Sequence, residues 1–290
     1  MKKYLTNEQK EFIIQNYSKK GVNYCHEELG VNKSTISSFA RRNGLKVDKE
    51  VVIKNMSKNI INLDNYINIE CPKIAYILGL IWSDGSVSFS NNKSKTPIVK
   101  HSCVYYDSDV SDLIFKEFNW RRFESENEKS IGKNKMIINW ISSRELGDYL
   151  ISHNYRDKNK GTSIYEKFDN LKSHFIRGFF DGDGCITISN SGSNYKQTAI
   201  YFSSTKNQNW YFIEKVLKEL DINYYIRLLK DDLGESSQLC IYDSKSIFKF
   251  CEYIYSNSEN IRLERKYKKY LDFINYKKEM SQYYKIKKES

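Results

Sequence analysis

The chain has only 2 prolines among its 290 residues, and its 6 cysteines stand far apart with no C-x-x-C pair. So little proline argues against a collagen-like or proline-rich chain, and the scattered cysteines exclude a zinc knuckle and a dense disulfide framework. We therefore expect reduced, mostly buried thiols. No stretch approaches the ~20 consecutive apolar residues of a membrane span, and the lysines after Met1 precede no apolar run. The composition predicts an intracellular, cytoplasmic protein with no membrane partner.

Acidic residues are outnumbered, since 47 Lys and Arg face 36 Asp and Glu, giving a net charge of +11. The excess lies at the two ends: residues 1–60 hold 12 basic against 6 acidic side chains, and residues 262–290 hold 10 against 4. A protein with such an excess usually meets a polyanion, so nucleic acid is the leading partner. A basic surface without functional meaning is the alternative.

The first 47 residues carry the signals of a small helical module. Thr6 and Gln9 have the spacing of a capping box, which predicts a helix over residues 6–17. Two shorter helices are predicted over Tyr24–Leu29 and Lys33–Asn43, with Gly30 permitting the tight turn between them. This arrangement predicts a helix-turn-helix domain over residues 1–47, followed by a polar, Asn-rich linker over residues 48–71.

The third helix of this module has a polar face suited to DNA. Ile36 and Ala40 fall four residues apart and are predicted to face inward. Hydroxyl groups and arginines on the other face can bind phosphates or base edges, as in a recognition helix. A plain three-helix cap with a solvated polar face is the alternative. The candidate DNA-binding residues are Lys33, Ser34, Thr35, Ser37, Ser38, Arg41 and Arg42.

A segment repeats in the rest of the chain. The sequence I-L-G-L-I-W-S-D-G at residues 77–85 aligns without gaps with I-R-G-F-F-D-G-D-G at residues 176–184. One such stretch is usually a core helix followed by a turn, but two copies with matching surroundings are specific. The aligned pairs are Gly79 with Gly178, Asp84 with Asp183, and Gly85 with Gly184.

The elements predicted after each copy also repeat, in the order strand, strand, helix, strand, strand, helix. We therefore predict an α+β fold in which an αββαββα unit is duplicated about a pseudo-twofold axis. The first unit spans residues 72–165 and the second residues 166–278, and a basic tail is assigned to residues 279–290.

The two copies resemble the paired motifs of single-chain LAGLIDADG homing endonucleases, and the resemblance covers roughly residues 72–275. The first copy departs from the family at Trp82, where an acid is common, and at Ser83. The small Gly79 and Gly178 are expected to let the two motif helices pack closely. By this resemblance the chain is expected to be a monomer that cuts both strands of a DNA target.

The motif ending explains the expected chemistry. Close packing of the helices would place Asp84 and Asp183 side by side, where the helix dipoles add negative partial charge. A cation relieves this repulsion, and few hard oxygen ligands suit Mg²⁺ or another divalent ion. Such an ion between carboxylates and the scissile phosphates activates water and stabilises the leaving oxygen. Asp84 and Asp183 are thus the predicted metal ligands and catalytic residues.

Strands with one polar face follow each motif. Polar and apolar residues alternate there, as on a half-buried sheet whose polar face fits the major groove of DNA. By resemblance these side chains contact DNA, although an ordinary solvated sheet face is the alternative. The candidate contacts are Ser86, Ser88 and Ser90 in the first half, and Thr187 and Ser189 in the second.

Two lysines complete the predicted site by resemblance alone. The closing segment of each half resembles the region in which a family lysine organises the hydrolytic water. That role falls on Lys266 in the second half and on Lys158 in the first, with Lys160 as an option. A solvated or phosphate-facing charge is the alternative meaning of either lysine.

Together these features predict a site-specific, metal-dependent DNA endonuclease that promotes the copying of an intron or of its own gene. The first alternative is a DNA-binding regulator that does not cleave, because some bacterial regulators join a similar domain to a helix-turn-helix. The second is a maturase that binds intron RNA on the same fold. Paired carboxylates beside phosphates favour the nuclease, since a regulator has no physical need for them.

Overall fold

The computed structural model forms two compact units, Met1–Ile60 and Ile61–Ser290. Ser90 and almost all of the predicted linker lie outside the described residues. No helix in the described part of the chain is long and apolar enough to cross a membrane. The structure describes residues 5–48, 71–89, 96–118, 120–126, 135–190, 196–231 and 234–289.

The described part of the first unit, residues 5–48, contains the helices α1 (Asn7–Leu29) and α2 (Lys33–Arg42). Gly21 has φ 81° and ψ 177°, so α1 is broken there and the unit holds three helical segments, as the sequence indicates. The break falls at Gly21, whereas the sequence predicted that the first helix would end at residue 17. Gly30 has φ 60° and ends α1 in the left-handed conformation that allows the tight turn before α2.

Local hydrogen bonds and a small core hold this unit together. The predicted capping box is present, because the Gln9 amide donates to Thr6 Oγ1 at 3.2 Å and the Thr6 amide donates to Gln9 Oε1 at 3.0 Å. Ile36 and Ala40 of α2 are fully buried, as their spacing predicts. Ile36 packs with Ile13 and Cys25 of α1 in a separate hydrophobic cluster.

The second unit contains the duplicated fold. Its first half has the order αββαββα, and so does its second half, which confirms the predicted α+β duplication. The first half comprises α3 (Pro72–Asp84), β1 (Gly85–Phe89), β2 (Pro97–Val104), α4 (Ser108–Phe118), β3 (Arg121–Glu126), β4 (Lys135–Ser142) and α5 (Arg144–Ser152). The second half comprises α6 (Lys172–Asp183), β5 (Gly184–Asn190), β6 (Lys196–Thr205), α7 (Tyr211–Glu219), β7 (Tyr225–Asp231), β8 (Gly234–Ile241) and α8 (Ser244–Tyr255).

A further helix, α9 (Glu264–Glu289), follows the second half. It continues through the residues 279–289 that the sequence analysis assigned to a basic tail. Its first turns pack on the second half, where Lys269 Nζ donates to Ile186 O on β5 at 3.1 Å. The second half is thus completed by a helix that has no counterpart in the αββαββα pattern.

Each half forms one antiparallel sheet of four strands, ordered β1-β2-β4-β3 in the first and β5-β6-β8-β7 in the second. The first strand of each sheet, β1 or β5, begins at the residue after a motif helix and lies at the sheet edge. One continuous hydrophobic core runs through both halves, with α3 and α6 at its centre. The topology therefore carries both motif endings to the centre of the unit.

Candidate functional site

The two motif helices are in backbone contact. A Cβ atom added at Gly79 would overlap Phe175 O and lie 2.8 Å from Phe179 N. One added at Gly178 would overlap Tyr76 O and lie 3.0 Å from Leu80 N. Only glycine allows this approach, so the structure gives Gly79 and Gly178 the close helix packing expected of them.

The same contact continues to the carboxyl ends of α3 and α6. A Cβ atom added at Gly182 would overlap the Ser83 side chain and lie 3.1 Å from Asp84 Oδ2. The Asp84 carboxylate therefore lies against the residue that directly precedes Asp183. Asp84 is exposed and Asp183 is half-buried, so both motif carboxylates are open to solvent at the junction of the two halves.

Lys266, on the first turn of α9, lies inside this junction and is only 3% exposed. Its ammonium group, which has three N–H donors, lies within hydrogen-bonding distance of four carbonyl oxygens at the end of α6: Phe180 at 2.8 Å, Asp181 at 2.7 Å, Gly182 at 3.1 Å and Gly184 at 2.5 Å. These carbonyls form the negative end of the helix dipole, where a cation is stabilising.

The electrostatic surroundings of this lysine are mixed. Burial lowers the pKa of Lys266, while the nearby negative charges of Asp181 and Asp84 act to raise it. Because the ammonium is engaged by backbone oxygens, the structure shows Lys266 as a cap on α6. Its predicted role with the hydrolytic water remains a prediction.

Asp181 is a buried acid that the sequence analysis did not select. Its Oδ2 accepts hydrogen bonds from Tyr76 Oη at 2.8 Å and from the Leu263 amide at 2.8 Å. Tyr255 Oη donates to its Oδ1 at 3.4 Å. Burial raises the pKa of Asp181 to about 6, against the opposing effects of Lys266 and of the hydrogen bonds. The signal for this residue was present in the alignment, because the first copy has Trp82 where the second has Asp181.

Trp82 occupies the corresponding position of α3 and is also fully buried. Its ring meets Tyr155 edge-on at 5.0 Å and Phe212 edge-on at 6.2 Å between centroids. Its Nε1 is buried, and none of the residues that the structure describes gives it a hydrogen-bond partner. The first motif position is therefore packed among aromatic rings, one from each half, whereas the second motif position is surrounded by charged and polar groups.

Lys158 begins a short 3-10 helix, Lys158–Lys160, and its side chain lies outside the described part of the structure. Lys160 pairs with Asp157 at 3.1 Å. Arg156, Asp157 and Asn159 line a groove of about 490 Å³ together with Gly85 and Ser86, which directly follow Asp84. The segment chosen for the first-half lysine thus lies beside the end of α3, while the role of Lys158 stays a prediction.

The strands after the motifs show the expected alternation. Val87 and Ile186 are buried, whereas Ser86 and Cys185 are exposed. Phe89 departs from it, because it is 36% exposed at the end of β1 and packs under the Arg156 guanidinium at 5.4 Å. The remaining predicted contact residues on these strands face outward or are half-exposed: Ser88, Thr187 and Ser189.

The outer face of the second sheet carries polar residues that the sequence analysis missed. Gln238 Oε1 accepts from Arg227 Nε at 2.9 Å and Nη2 at 2.5 Å, and Gln238 Nε2 donates to Ser203 Oγ at 2.9 Å. Tyr225 and Tyr242 stack with their ring centroids 5.1 Å apart. Alternation along β6 and β8 was the available signal, but only the strand register shows which side chains meet.

The predicted recognition helix presents its polar face to solvent. Asn32 caps α2, since Asn32 Oδ1 accepts from the Ser34 amide at 3.1 Å and from Ser34 Oγ at 3.0 Å. The same face borders a groove of about 360 Å³ lined by Lys10 and Arg42 together with hydroxyl groups. Most of the predicted contact residues are exposed: Lys33, Ser34, Ser37, Arg41 and Arg42. Thr35 and Ser38 are half-buried.

Residues 170–255, from the start of α6 through α8, match the family model described as a LAGLIDADG-like domain. The second half is LAGLIDADG-like. The resemblance predicted from the motifs is thereby confirmed for this half, which contains Asp183. The first half shares its element order with the LAGLIDADG-like half, although the model match does not extend to it.

Among curated proteins, an uncharacterized protein of Methanocaldococcus jannaschii is 24% identical over 200 residues. The match covers 67% of this chain and 66% of that protein, so slightly less than two thirds of the relative is spanned. This degree of identity, to a protein without an assigned activity, adds no function.

Two solved structures are also similar. The I-LtrWI LAGLIDADG homing endonuclease bound to target DNA has a TM-score of 0.48 and 13% identity, covering 71% of this chain and 91% of that one. The LAGLIDADG meganuclease I-AabMI bound to uncleaved DNA has a TM-score of 0.49 and 12% identity, covering 73% and 92%. Because both scores fall under 0.5, neither structure supports a function for this chain.

Proposed function

We propose that this protein is a site-specific DNA endonuclease that makes a double-strand break by metal-dependent hydrolysis of phosphodiester bonds. The observation that carries the proposal is the junction of α3 and α6, where the Asp84 carboxylate lies against the residue before Asp183. Two carboxylates on paired helix ends, each leading into a strand with a polar outer face, suit a centre that acts on both strands of a duplex.

The donor set at this junction fits a divalent cation such as Mg²⁺. Asp84 and Asp183 supply hard carboxylate oxygens at the negative ends of two helices. Among the residues that the structure describes, no three His, Cys, Asp or Glu side chains gather into a fuller metal site. Asp84 and Asp183 would each hold an ion with phosphate oxygens and water, the partial protein coordination that Mg²⁺ accepts. Bound there, the cation supplies charge neutralisation and a more acidic water.

The remaining residues of the site position the substrate. Ser86, Ser88, Thr187 and Ser189 lie on strands that start at the two carboxylates, so they would contact bases or backbone next to the scissile bonds. Hydrolysis adds water across each phosphodiester bond: a water oxygen bonds to phosphorus while the bond to the 3′ oxygen breaks. The departing 3′ oxygen takes up a proton, and a 5′ phosphate remains.

The helix-turn-helix would add a second DNA contact on the same chain. Its outward Arg41 and Arg42 suit phosphate or guanine. A tethered second contact raises the effective concentration of the nuclease unit near its site. We propose a monomer that acts on double-stranded DNA and promotes the mobility of an intron or of its own gene. Binding of intron RNA remains the alternative for a maturase.

The test is cleavage of a randomised duplex library by the full-length protein with Mg²⁺, followed by sequencing of the cut ends. We expect cuts at one short set of related sequences and none when the divalent ion is chelated. Asp84→Asn and Asp183→Asn are each expected to abolish double-strand breaks and to retain DNA binding. Asp148→Asn, a change at an exposed carboxylate on α5, is the matched control and should cut normally.

The same experiment separates the alternatives. Sequence-specific binding without cleavage at any target, by both wild type and the aspartate variants, would replace the nuclease with the DNA-binding regulator. Tight binding of structured RNA in preference to duplex DNA would favour the maturase. Cleavage that survives both aspartate substitutions would overturn the proposed site.

A further inference from the structure

The two motif endings differ in chemical character at the buried position two residues before the terminal aspartate. The second copy carries Asp181 there and the first carries Trp82, and both side chains are almost fully buried. A buried carboxylate is costly unless it is hydrogen-bonded and paired, so its retention beside a candidate metal ligand calls for a physical reason.

The contacts of Asp181 lead to the start of α9. Its Oδ2 accepts from the Leu263 amide at 2.8 Å. The Leu263 carbonyl in turn accepts from the amides of Lys266 at 3.0 Å and Tyr267 at 3.1 Å, the first backbone bonds of α9. The Asp181 carboxylate therefore fixes the residue from which the turn carrying Lys266 begins.

The side chain of Lys266 extends from this turn to the end of the second motif. It donates to Gly182 O at 3.1 Å and to Gly184 O at 2.5 Å, the two residues on either side of Asp183. A chain of hydrogen bonds thus runs from Asp181 through Leu263 and Lys266 to the backbone that carries Asp183. Moving any member would change where the Asp183 carboxylate points.

Trp82 meets its surroundings through the rings of Tyr155 in the first half and of Phe212 on α7 in the second half. Tyr155 is anchored to the same helix, because its Oη donates to Leu78 O at 3.0 Å. Ring packing of this kind does not depend on a charge, so the ending that carries Asp84 is held by a different physical interaction.

We propose that Asp181 is a positioning residue for the Asp183 centre alone, so that the two DNA strands are cut by two centres of different construction. The proposal rests on the nuclease function proposed above and extends it to the individual strands. Loss of Asp181 converts a double-strand cutter into a nickase, because the Asp84 centre keeps its own support.

The functional test uses a target duplex from the library, labelled differently on each strand, with full-length protein in excess. The strand whose cutting is lost in Asp183→Asn is the one assigned to Asp183. We expect Asp181→Asn to slow single-turnover cutting of that strand at least tenfold more than cutting of the other, with DNA affinity changed less than threefold. Tyr76→Phe removes one donor to Asp181 at 2.8 Å and should bias the strands about twofold to fivefold in the same direction.

Trp82→Phe is the position-matched control, because it alters the first motif at the same place and keeps an aromatic ring. It should leave the strand ratio within twofold of the wild type. Equal slowing of both strands by Asp181→Asn and by Tyr76→Phe would show a general structural role and overturn the proposal.

A second measurement does not depend on cleavage. Acetic anhydride modifies accessible lysines, and mass spectrometry compares Lys266 with the exposed Lys268 on the same helix. We expect at least a tenfold rise in relative acetylation of Lys266 in Asp181→Asn and no rise in Trp82→Phe. If the wild type cuts no target, the proposed function fails. The ratio of Lys266 to Lys268 acetylation still decides whether Asp181 holds Lys266 in place. Unchanged acetylation in Asp181→Asn overturns the positioning role.

Discussion

The two motif helices, α3 and α6, pack on each other through the same glycine contact, yet the position two residues before each terminal aspartate is occupied differently. In α6 a carboxylate, a lysine and two tyrosine hydroxyls surround that position, whereas in α3 it is filled by an indole among other rings. The close approach of the two backbones requires glycine at Gly79 and Gly178. The position three residues later can be occupied either by a charged side chain with polar partners or by an apolar one packed among rings. The comparison separates what the duplication must keep from what each half can change.

The two arrangements carry different costs. Burial raises the pKa of Asp181 to about 6 and lowers the pKa of Lys266, so each charge in the second half is disfavoured by desolvation. The first half avoids those charges but buries Trp82 Nε1 without a partner. Each half thus loses some folding free energy by burying a polar group, and different substitutions would relieve the loss in each half.

The largest expected effect tests the part that both halves share. Gly79→Ala and Gly178→Ala should each destabilise the second unit by about 4 kcal/mol or more, since each new methyl group would overlap a backbone carbonyl across the helix pair. Urea denaturation measures both losses. Gly147→Ala is the comparison: its methyl group would overlap the side chain of Pro97 and not a backbone carbonyl of a paired helix, so the loss should be smaller. A small loss at one motif glycine alone would mean that the helix contact is not symmetric.

The next effect concerns the ionic side of the comparison. Lys266→Met should destabilise the second unit by about 3–5 kcal/mol, because it leaves Asp181 without its neighbouring cation and the end of α6 without a cap. Lys269 lies one turn after Lys266 and donates to Ile186 O on β5, not to the end of α6. Lys269→Met should therefore destabilise the unit by only about 1 kcal/mol. Thermal denaturation of both variants gives the comparison, and equal losses would contradict the capping role.

The smallest effect lies in the first half and depends on pH. His101 of β2 is buried with both ring nitrogens unpartnered, and burial lowers its pKa from 6.5 to about 4. The unfolded chain therefore binds the extra proton between those pH values, and stability is lost as the pH falls from about 6.5 toward 4. The loss reaches at most about 3 kcal/mol.

His101 pairs with the motif residue Gly85, and Phe202 holds the corresponding place opposite Gly184 in the second sheet. His101→Phe therefore gives the first sheet the residue type of the second. The difference in unfolding free energy between wild type and variant should change with pH across that window. The difference isolates His101, because the raised pKa of Asp181 acts in the opposite direction and is present in both proteins. A pH-independent difference would show that His101 does not titrate in this range.

The sequence was sufficient for the fold because its signals are local and repeated. Apolar periodicity and the aligned motifs predicted the duplicated αββαββα order, and the Thr6 capping box and the Gly30 turn are present as predicted. The strands β3 and β7 carried only weak signals, since no position described on either strand is buried and the apolar alternation is therefore weak. The length of α9 was missed because its residues show little amphipathic pattern.

The site was predictable only in part. Asp84 and Asp183 follow from the alignment, and the close approach of their helices follows from Gly79 and Gly178. The bonds of Lys266 to the end of α6 join residues more than eighty positions apart, and no local pattern reveals such pairings. The register that brings Ser203 to Gln238, 35 positions apart, is also non-local.

The bonds from Leu263 and Lys266 to α6 also set a condition on biosynthesis. The residues that finish the second motif ending are translated long after the motif itself, since Phe180 and Lys266 are 86 positions apart. A growing chain that stops before residue 263 contains both motif glycines and both terminal aspartates but lacks the residues whose bonds flank Asp183. The bonds from Leu263 and Lys266 to the end of α6 can therefore form only after residue 266 has been added to the chain.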